Sequence, residues 1–147
     1  MLVRPAKVED LDNMVELLGI LFSIEADFAP DPLRQRRALR LILDSPDVGV
    51  LLVATSDTRV VGMVSLLFTI STAEGGPVAW LEDMVVSPDR RDKGIGSHLL
   101  DAAVSLCRER GLKRITLLTD AANERARRFY GRNGFAASAM VPYRRHW

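Results

Sequence analysis

The stretch Arg91-Asp92-Lys93-Gly94-Ile95-Gly96-Ser97 has the residue types of an anion-binding loop: an apolar strand runs into it, and a glycine pair opens a helix. The first turn of a helix carries backbone N–H groups without internal partners and about half a positive charge, so a diphosphate placed there accepts several donors at once. Each N–H to a charged oxygen contributes about 1.5 to 3 kcal/mol, so about three or four of them dominate the affinity of a phosphate-bearing ligand. Gly94 and Gly96 permit the close approach. Two familiar phosphate loops do not fit. A P-loop ends in Gly-Lys-Ser/Thr, which is absent, and the dinucleotide fingerprint needs a third glycine or alanine where Leu99 stands. Upstream on the same strand lie two neighbouring carboxylates, Glu82 and Asp83. Successive strand residues face opposite sides of a sheet, so at most one of them points at a common substrate.

The elements that position these groups follow from hydrophobic spacing. Leu2 to Arg4 reads as a strand, and Leu11, Met14, Val15, Leu18, Leu21 and Phe22 fall on one helical face. An acidic loop over Ser23 to Asp31 precedes a second helix that begins near Pro32 and buries Leu39, Ile42 and Leu43. From Gly49 two β-branched, apolar runs flank a polar turn at Ser56 to Thr58, as in a hairpin. After the Gly75-Gly76 turn, a strand over Val78 to Val86 leads through the loop to a helix carrying Ile95, Leu99, Leu100, Ala103, Val104 and Cys107, ended by Gly111. Arg114 to Leu118 reads as a strand, Asn123 to Asn133 as a short helix, and Phe135 to Trp147 as one or two closing strands. This order mixes hairpins with crossovers, so an α/β or α+β domain with a mixed sheet and parallel middle strands is expected.

Arg91-x-x-Gly94-x-Gly96, preceded by Val86-x-Pro88 and followed by Leu99-Leu100, resembles the acetyl-CoA signature of the GNAT superfamily of N-acetyltransferases. A second, downstream match is similar to the helix and strand that close that family's active site: Asn123 with Ala126, Phe129-Tyr130 and Gly134-Phe135. The motif resemblance spans about Leu81 to Phe135, and the N-terminal third carries no specific signature. It implies a mixed central sheet of six or seven strands flanked by about four helices, in one N-acetyltransferase domain over residues 1–147. It also implies acetyl-CoA held by the main chain of Met84, Val85 and Val86 and by Arg91, Asp92, Lys93, Gly94, Ile95, Gly96 and Ser97, with Asn123 and Tyr130 on the cofactor arm. Asn123 reads equally as a helix cap.

By the same resemblance Glu82 is the base, directly or through water, and Tyr130 is the acid that meets the departing CoA thiolate. A base is needed because a primary amine is protonated at neutral pH and only its lone pair attacks a thioester. Ala126, Phe129 and Tyr130 also stand at i, i+3 and i+4, the spacing of an ordinary buried helix face, and Phe129 reads as core. Asp92 departs from the family, which commonly has glycine there; Arg90, Arg91 and Lys93 are the nearby cations in sequence that offset its charge.

Composition narrows the classes. With 20 Lys plus Arg against 19 Asp plus Glu, the net charge of +1 supplies no field for nucleic acid or anionic membrane. No apolar run at the start approaches the ~18 residues of a membrane span, and a cytoplasmic protein is expected. One cysteine, Cys107, forms no internal disulfide, and with only His98 and His146 besides there is no metal-ligand cluster. Cys107 reads as packing and His98 as an exposed helical residue. By the resemblance, Glu25, Asp27, Asp31, Glu82 and Asp83 present a negative mouth to an amine acceptor, either a small cationic molecule or a protein amine; they read equally as a solvated acidic loop. The resemblance implies a homodimer, since the family's small open sheets with exposed strands at the C-terminal end often pair with a second copy. The competing reading is an acyl-CoA sensor that binds without transferring.

Overall fold

The alternation and runs of the sequence become nine regular elements in the computed structural model, which describes residues 1–25 and 27–147: β1 Leu2–Pro5, α1 Leu11–Ile24, α2 Pro32–Leu43, β2 Gly49–Ser56, β3 Arg59–Ser71, β4 Gly76–Val86, α3 Ile95–Glu109, β5 Ile115–Leu117 and α4 Glu124–Arg132. The five strands form one sheet in sequence order. β1 to β4 pair antiparallel, and β4 pairs parallel with β5, so the sheet is mixed as expected. The parallel pair lies at the sheet edge and not in its middle. No helix among the described residues is long and apolar enough to cross a membrane.

Both faces of the sheet are covered, which is why β2 and β3 read as continuous apolar runs. Leu52, Ala54, Val61, Val64 and Leu66 pack with Ile95, Leu99, Leu100, Ala103 and Cys107 of α3 on one face. Leu51, Val53, Val60 and Met63 pack with Leu11, Met14, Leu17 and Leu18 of α1 and Leu39 of α2 on the other. At about 25 cal/mol per Å² of apolar area, each fully buried leucine contributes about 1.5 to 3 kcal/mol to holding these layers together. Carboxylates tie down the chain just ahead of α1 and α2, and the one before α2 is a side-chain cap. The Asp31 carboxylate accepts from Arg34 N at 3.2 Å with Pro32 in the first turn of α2, and Asp10 ahead of α1 accepts from Lys7 N at 2.7 Å and from Arg4 at 2.7 and 3.1 Å.

The expectation of six or seven strands is corrected to five: among the described residues, nothing from Phe135 to Trp147 pairs as a strand. The physical reasons are local. β5 is three residues long and offers a short template, and Pro142 cannot donate to a ladder. The tail instead turns at Ser138, whose hydroxyl accepts from Met140 N at 3.1 Å, and reaches the loop between α1 and α2, where Arg144 pairs with Asp27 at 3.0 Å.

Candidate active site

β4 and β5 run side by side only from Ala79 to Leu81 and from Ile115 to Leu117. β5 stops there, while β4 continues to Val86. The edge of β4 that faces β5 is therefore left without a strand neighbour from Glu82 onward. A β-bulge bends β4 at this point. Met63 pairs with Val85 and Ser65 with Glu82, so Asp83 and Met84 both stand opposite Val64. Asp83 takes φ 54°, a left-handed conformation that non-glycine residues seldom adopt within a strand. Strain of this kind persists only where surrounding contacts hold it. Here Ser65, fully buried on β3, donates its hydroxyl to Asp83 Oδ2 at 3.0 Å.

The bulge breaks the strict alternation read from sequence. Glu82 is exposed and Asp83 is half-buried, yet both carboxylates, with Asp120 and Asp27, raise the proton affinity of Glu25 at the end of α1. Burial is the largest cause, and together they push Glu25 up to about 7. Beyond the bulge the side chains separate by face. Met84 and Val86 pack toward α3, and Val85 is buried toward α1. What Met84, Val85 and Val86 leave on the open edge of β4 is main chain.

At the end of β4 the chain turns through residues 87–94. Arg59 holds Asp89 at 3.0 Å, Ser87 Oγ donates to Asp89 at 2.6 Å, and Arg90 reaches Ser56 Oγ at 3.0 Å. Asp92 takes φ 62° and Gly94 φ 78°, and Gly94 caps α3. Asp92 thus fills a left-handed position that would suit glycine. Its charge is met by Arg125 of α4, at 2.9 Å, and not by Arg90, Arg91 or Lys93, the neighbours favoured from sequence. Arg91 instead directs Nε to Val86 O at 3.4 Å. The amides that open α3 at Ile95, Gly96 and Ser97 have no acceptors in their own helix, as an oxyanion site requires. His98 is exposed and holds its ring to Gly94 O at 2.8 Å.

Gly96 has a second task. A Cβ there would lie 2.9 Å from Phe129 Cζ, so the glycine notch receives an aromatic ring of α4. Phe129, read from sequence as core, is half-buried and seats α4 on the start of α3. Asn123 Oδ1 accepts from Ala126 N at 3.0 Å, which is the cap reading of that residue. Tyr130 stacks edge-on against Phe129 and Phe135, with centroids 5.2 and 5.8 Å away. Burial, with the charge of Glu25 added, pushes its hydroxyl up to about 12, so it keeps its proton as a donor.

Asp83 yields a stability prediction. Burial and the charge of Glu82, opposed by the Ser65 hydrogen bond, push its carboxyl from 3.8 to about 6. The folded chain holds a proton there that the unfolded chain releases, so stability falls as pH rises from about 4 through about 6. Asp83→Asn removes that cost. With solvent screening the variant is expected to be about 1 to 2 kcal/mol more stable than the parent above pH 7, the gain vanishing near pH 3. Denaturant melts at the two pH values check this, and a loss of stability at pH 8 would contradict it.

Sequence reasoning missed two residues, Ser65 and Arg125. Ser65 was detectable as the lone hydroxyl between Val64 and Leu66 in an apolar run; Arg125 had no such signal among the arginines of α4.

This geometry has known counterparts. Residues 13–135 match the model of the Acetyltransferase (GNAT) family. The chain is 32% identical to an aminoalkylphosphonate N-acetyltransferase of Salmonella typhimurium over 92% of its own length and 85% of that protein. It is 35% identical to the uncharacterized N-acetyltransferase YhfO of Bacillus subtilis, a match that spans 59% of this chain and 58% of the relative. Its fold is that of a predicted acetyltransferase from Clostridium acetobutylicum solved with acetyl-CoA, at a TM-score of 0.80 and 20% identity, covering 98% of this chain and 95% of the other. With residues 13–135 matching that family's model and a 32% identical N-acetyltransferase covered over 85% of its length, the chain belongs to the acetyltransferase (GNAT) family.

Proposed function

We propose that this protein transfers the acetyl group of acetyl-CoA to a primary amine by direct attack while both are bound. The observation that carries the reading is the fork between β4 and β5, where β5 stops at Leu117 and β4 runs on into the loop that opens α3. The residues present fit the cofactor. The left-handed Asp92 and Gly94 turn the loop so that amides of residues 91–97 can hold the diphosphate, and the unpaired edge of β4 at Met84, Val85 and Val86 offers main-chain groups to the pantetheine arm. Asn123 spends its side-chain oxygen on the helix cap, so its amide nitrogen is the part left to meet that arm.

The thioester supplies the acyl group. Glu82, exposed at the mouth of the fork, takes the proton that the ammonium must lose before a nitrogen–carbon bond forms. Tyr130 donates its O–H toward the sulfur as the carbon–sulfur bond breaks. The acceptor is a small cationic amine, because the carboxylates of Asp83, Asp120, Glu82 and Asp27 lie near enough to Glu25 to raise its proton affinity. Cytoplasmic location and a homodimer belong to the same reading. Cys107 is a buried thiol without a disulfide partner. β5 is a sheet edge, and Met140, Val141, Tyr143 and Trp147 stand exposed beside the short C-terminal end. Sedimentation is expected to give twice the chain mass of 16.3 kDa; a single-chain mass at micromolar concentration would refute the dimer.

The test of the function is release of free CoA thiol on mixing the protein with acetyl-CoA and a panel of amines, with diamines and aminoalkylphosphonates included. Release with at least one small amine supports the reading. Tight acetyl-CoA binding without release for any small or peptide amine would leave a binding module in its place.

A further inference from the structure

Asp92 lies in the turn that follows β4, and Arg125 lies in the first turn of α4, which follows β5. Their 2.9 Å ion pair therefore spans the opening of the fork, from one wall to the other. We propose that Arg125 is a further acetyl-CoA-binding residue, held ready across the opening by Asp92 until the diphosphate takes that carboxylate's place. The inference rests on the acetyl-CoA reading above and adds to it a residue that the loop motif does not contain.

Three observations carry it. First, Arg125 and Phe129 stand four residues apart on one face of α4, and Phe129 is locked into the notch over Gly96. The register of α4 on the loop is thus fixed, and so is the direction in which Arg125 extends. Second, the loop's own arginines are turned to other tasks: Arg90 bonds Ser56 and Asp89, and Arg91 directs its Nε to Val86 O. Besides Lys93, the loop's remaining cation, the facing wall supplies Arg125. Third, the pair is open to water, with Arg125 62% and Asp92 85% exposed, so it is weakly held. A guanidinium binds phosphate oxygens through two parallel hydrogen bonds, and a diphosphate carries more charge than one carboxylate, so the exchange is favourable.

Asp92 then has two tasks at a position where glycine would do only the first. It adopts the left-handed turn, and it keeps Arg125 from folding away along α4, where Glu124 and Arg128 already pair at 3.6 Å.

Calorimetry of the whole chain with acetyl-CoA, and with acetyl-pantetheine, which lacks the diphosphate, tests this. Arg125→Ala is expected to raise the Kd for acetyl-CoA about tenfold, in the parent and in an Asp92→Gly background alike, and to leave acetyl-pantetheine within about twofold. Three results would overturn the proposal: an unchanged Kd for acetyl-CoA, an effect that disappears once Asp92 is gone, or equal weakening of both ligands, which would mean a displaced α4. Absence of acetyl-CoA binding by the parent chain would strike the reading beneath it; normal parent binding with an indifferent Arg125→Ala would strike this inference alone.

Discussion

Replacing Tyr130 with phenylalanine is expected to lower kcat by about 10- to 150-fold while the Kd for acetyl-CoA stays within about twofold. The ring keeps its place in either case, because its edge contacts with Phe129 and Phe135 do not involve the hydroxyl. Only an O–H aimed at the leaving sulfur is removed. The size of the effect follows from the acidity of that group. A thiol titrates near 8.5, whereas burial pushes Tyr130 up to about 12, so complete transfer of the phenolic proton to the sulfur is uphill. What the hydroxyl supplies is a charge-assisted hydrogen bond to sulfur as negative charge develops, about 1.5 to 3 kcal/mol, and the range quoted is that energy expressed as a rate. Two measurements separate this from a general loss of structure. The variant's pH–rate profile should keep the parent's shape from pH 6 to 9, since Tyr130 does not titrate there. Its kcat for an acetyl thioester with a more acidic thiol should fall less, because that sulfur needs less help. Undiminished turnover would remove Tyr130 from the chemistry.

Sequence and structure agree where the signal is local. The α3 loop was legible because two glycines, an apolar strand before them and helical spacing after them lie within about 20 residues, and each reports backbone geometry directly. The tyrosine helix was legible for the same reason. The bulge was not. Glu82-Asp83-Met84 reads as alternating strand, and only the pairing with β3 reveals that two residues share one partner and that Asp83 turns left-handed. Nothing in the identity of Asp83 announces this, since aspartate is common in turns and ordinary in exposed strands. The arrangement across the fork was hidden because it joins Asp92 to Arg125 and Gly96 to Phe129, pairs 33 residues apart whose charges and volumes have many other possible partners. The tail failed in the opposite direction. Val141, Tyr143 and Trp147 look like strand residues, but strand residues need a neighbour, and β5 ends too soon to be one.

Glu82→Gln is expected to lower kcat about 100-fold at pH 7, and the deficit is expected to shrink as pH rises toward 9.5. A primary amine with a pKa near 10.4 is about 0.04% unprotonated at pH 7 and about 4% at pH 9, so a base that removes its proton matters most where free amine is scarce. Glutamine keeps the shape and polarity of the side chain at the mouth of the fork and loses only the ability to accept that proton. Bulk alkalinity then substitutes for the missing base, which is why the two pH–rate curves should converge. Asp83 is the internal control, because it lies next in sequence, is half-buried and is held by Ser65. If Asp83 takes the proton instead, Asp83→Asn will show the convergent deficit, Ser65→Ala will shift the acid limb of the parent curve away from about pH 6, and Glu82→Gln will leave turnover intact. The exposed carboxylate is favoured because it meets the ammonium without first shedding a hydrogen bond. Asp83 has the raised proton affinity that burial gives, yet it would have to give up or share the hydrogen bond it receives from Ser65, which opposes that rise.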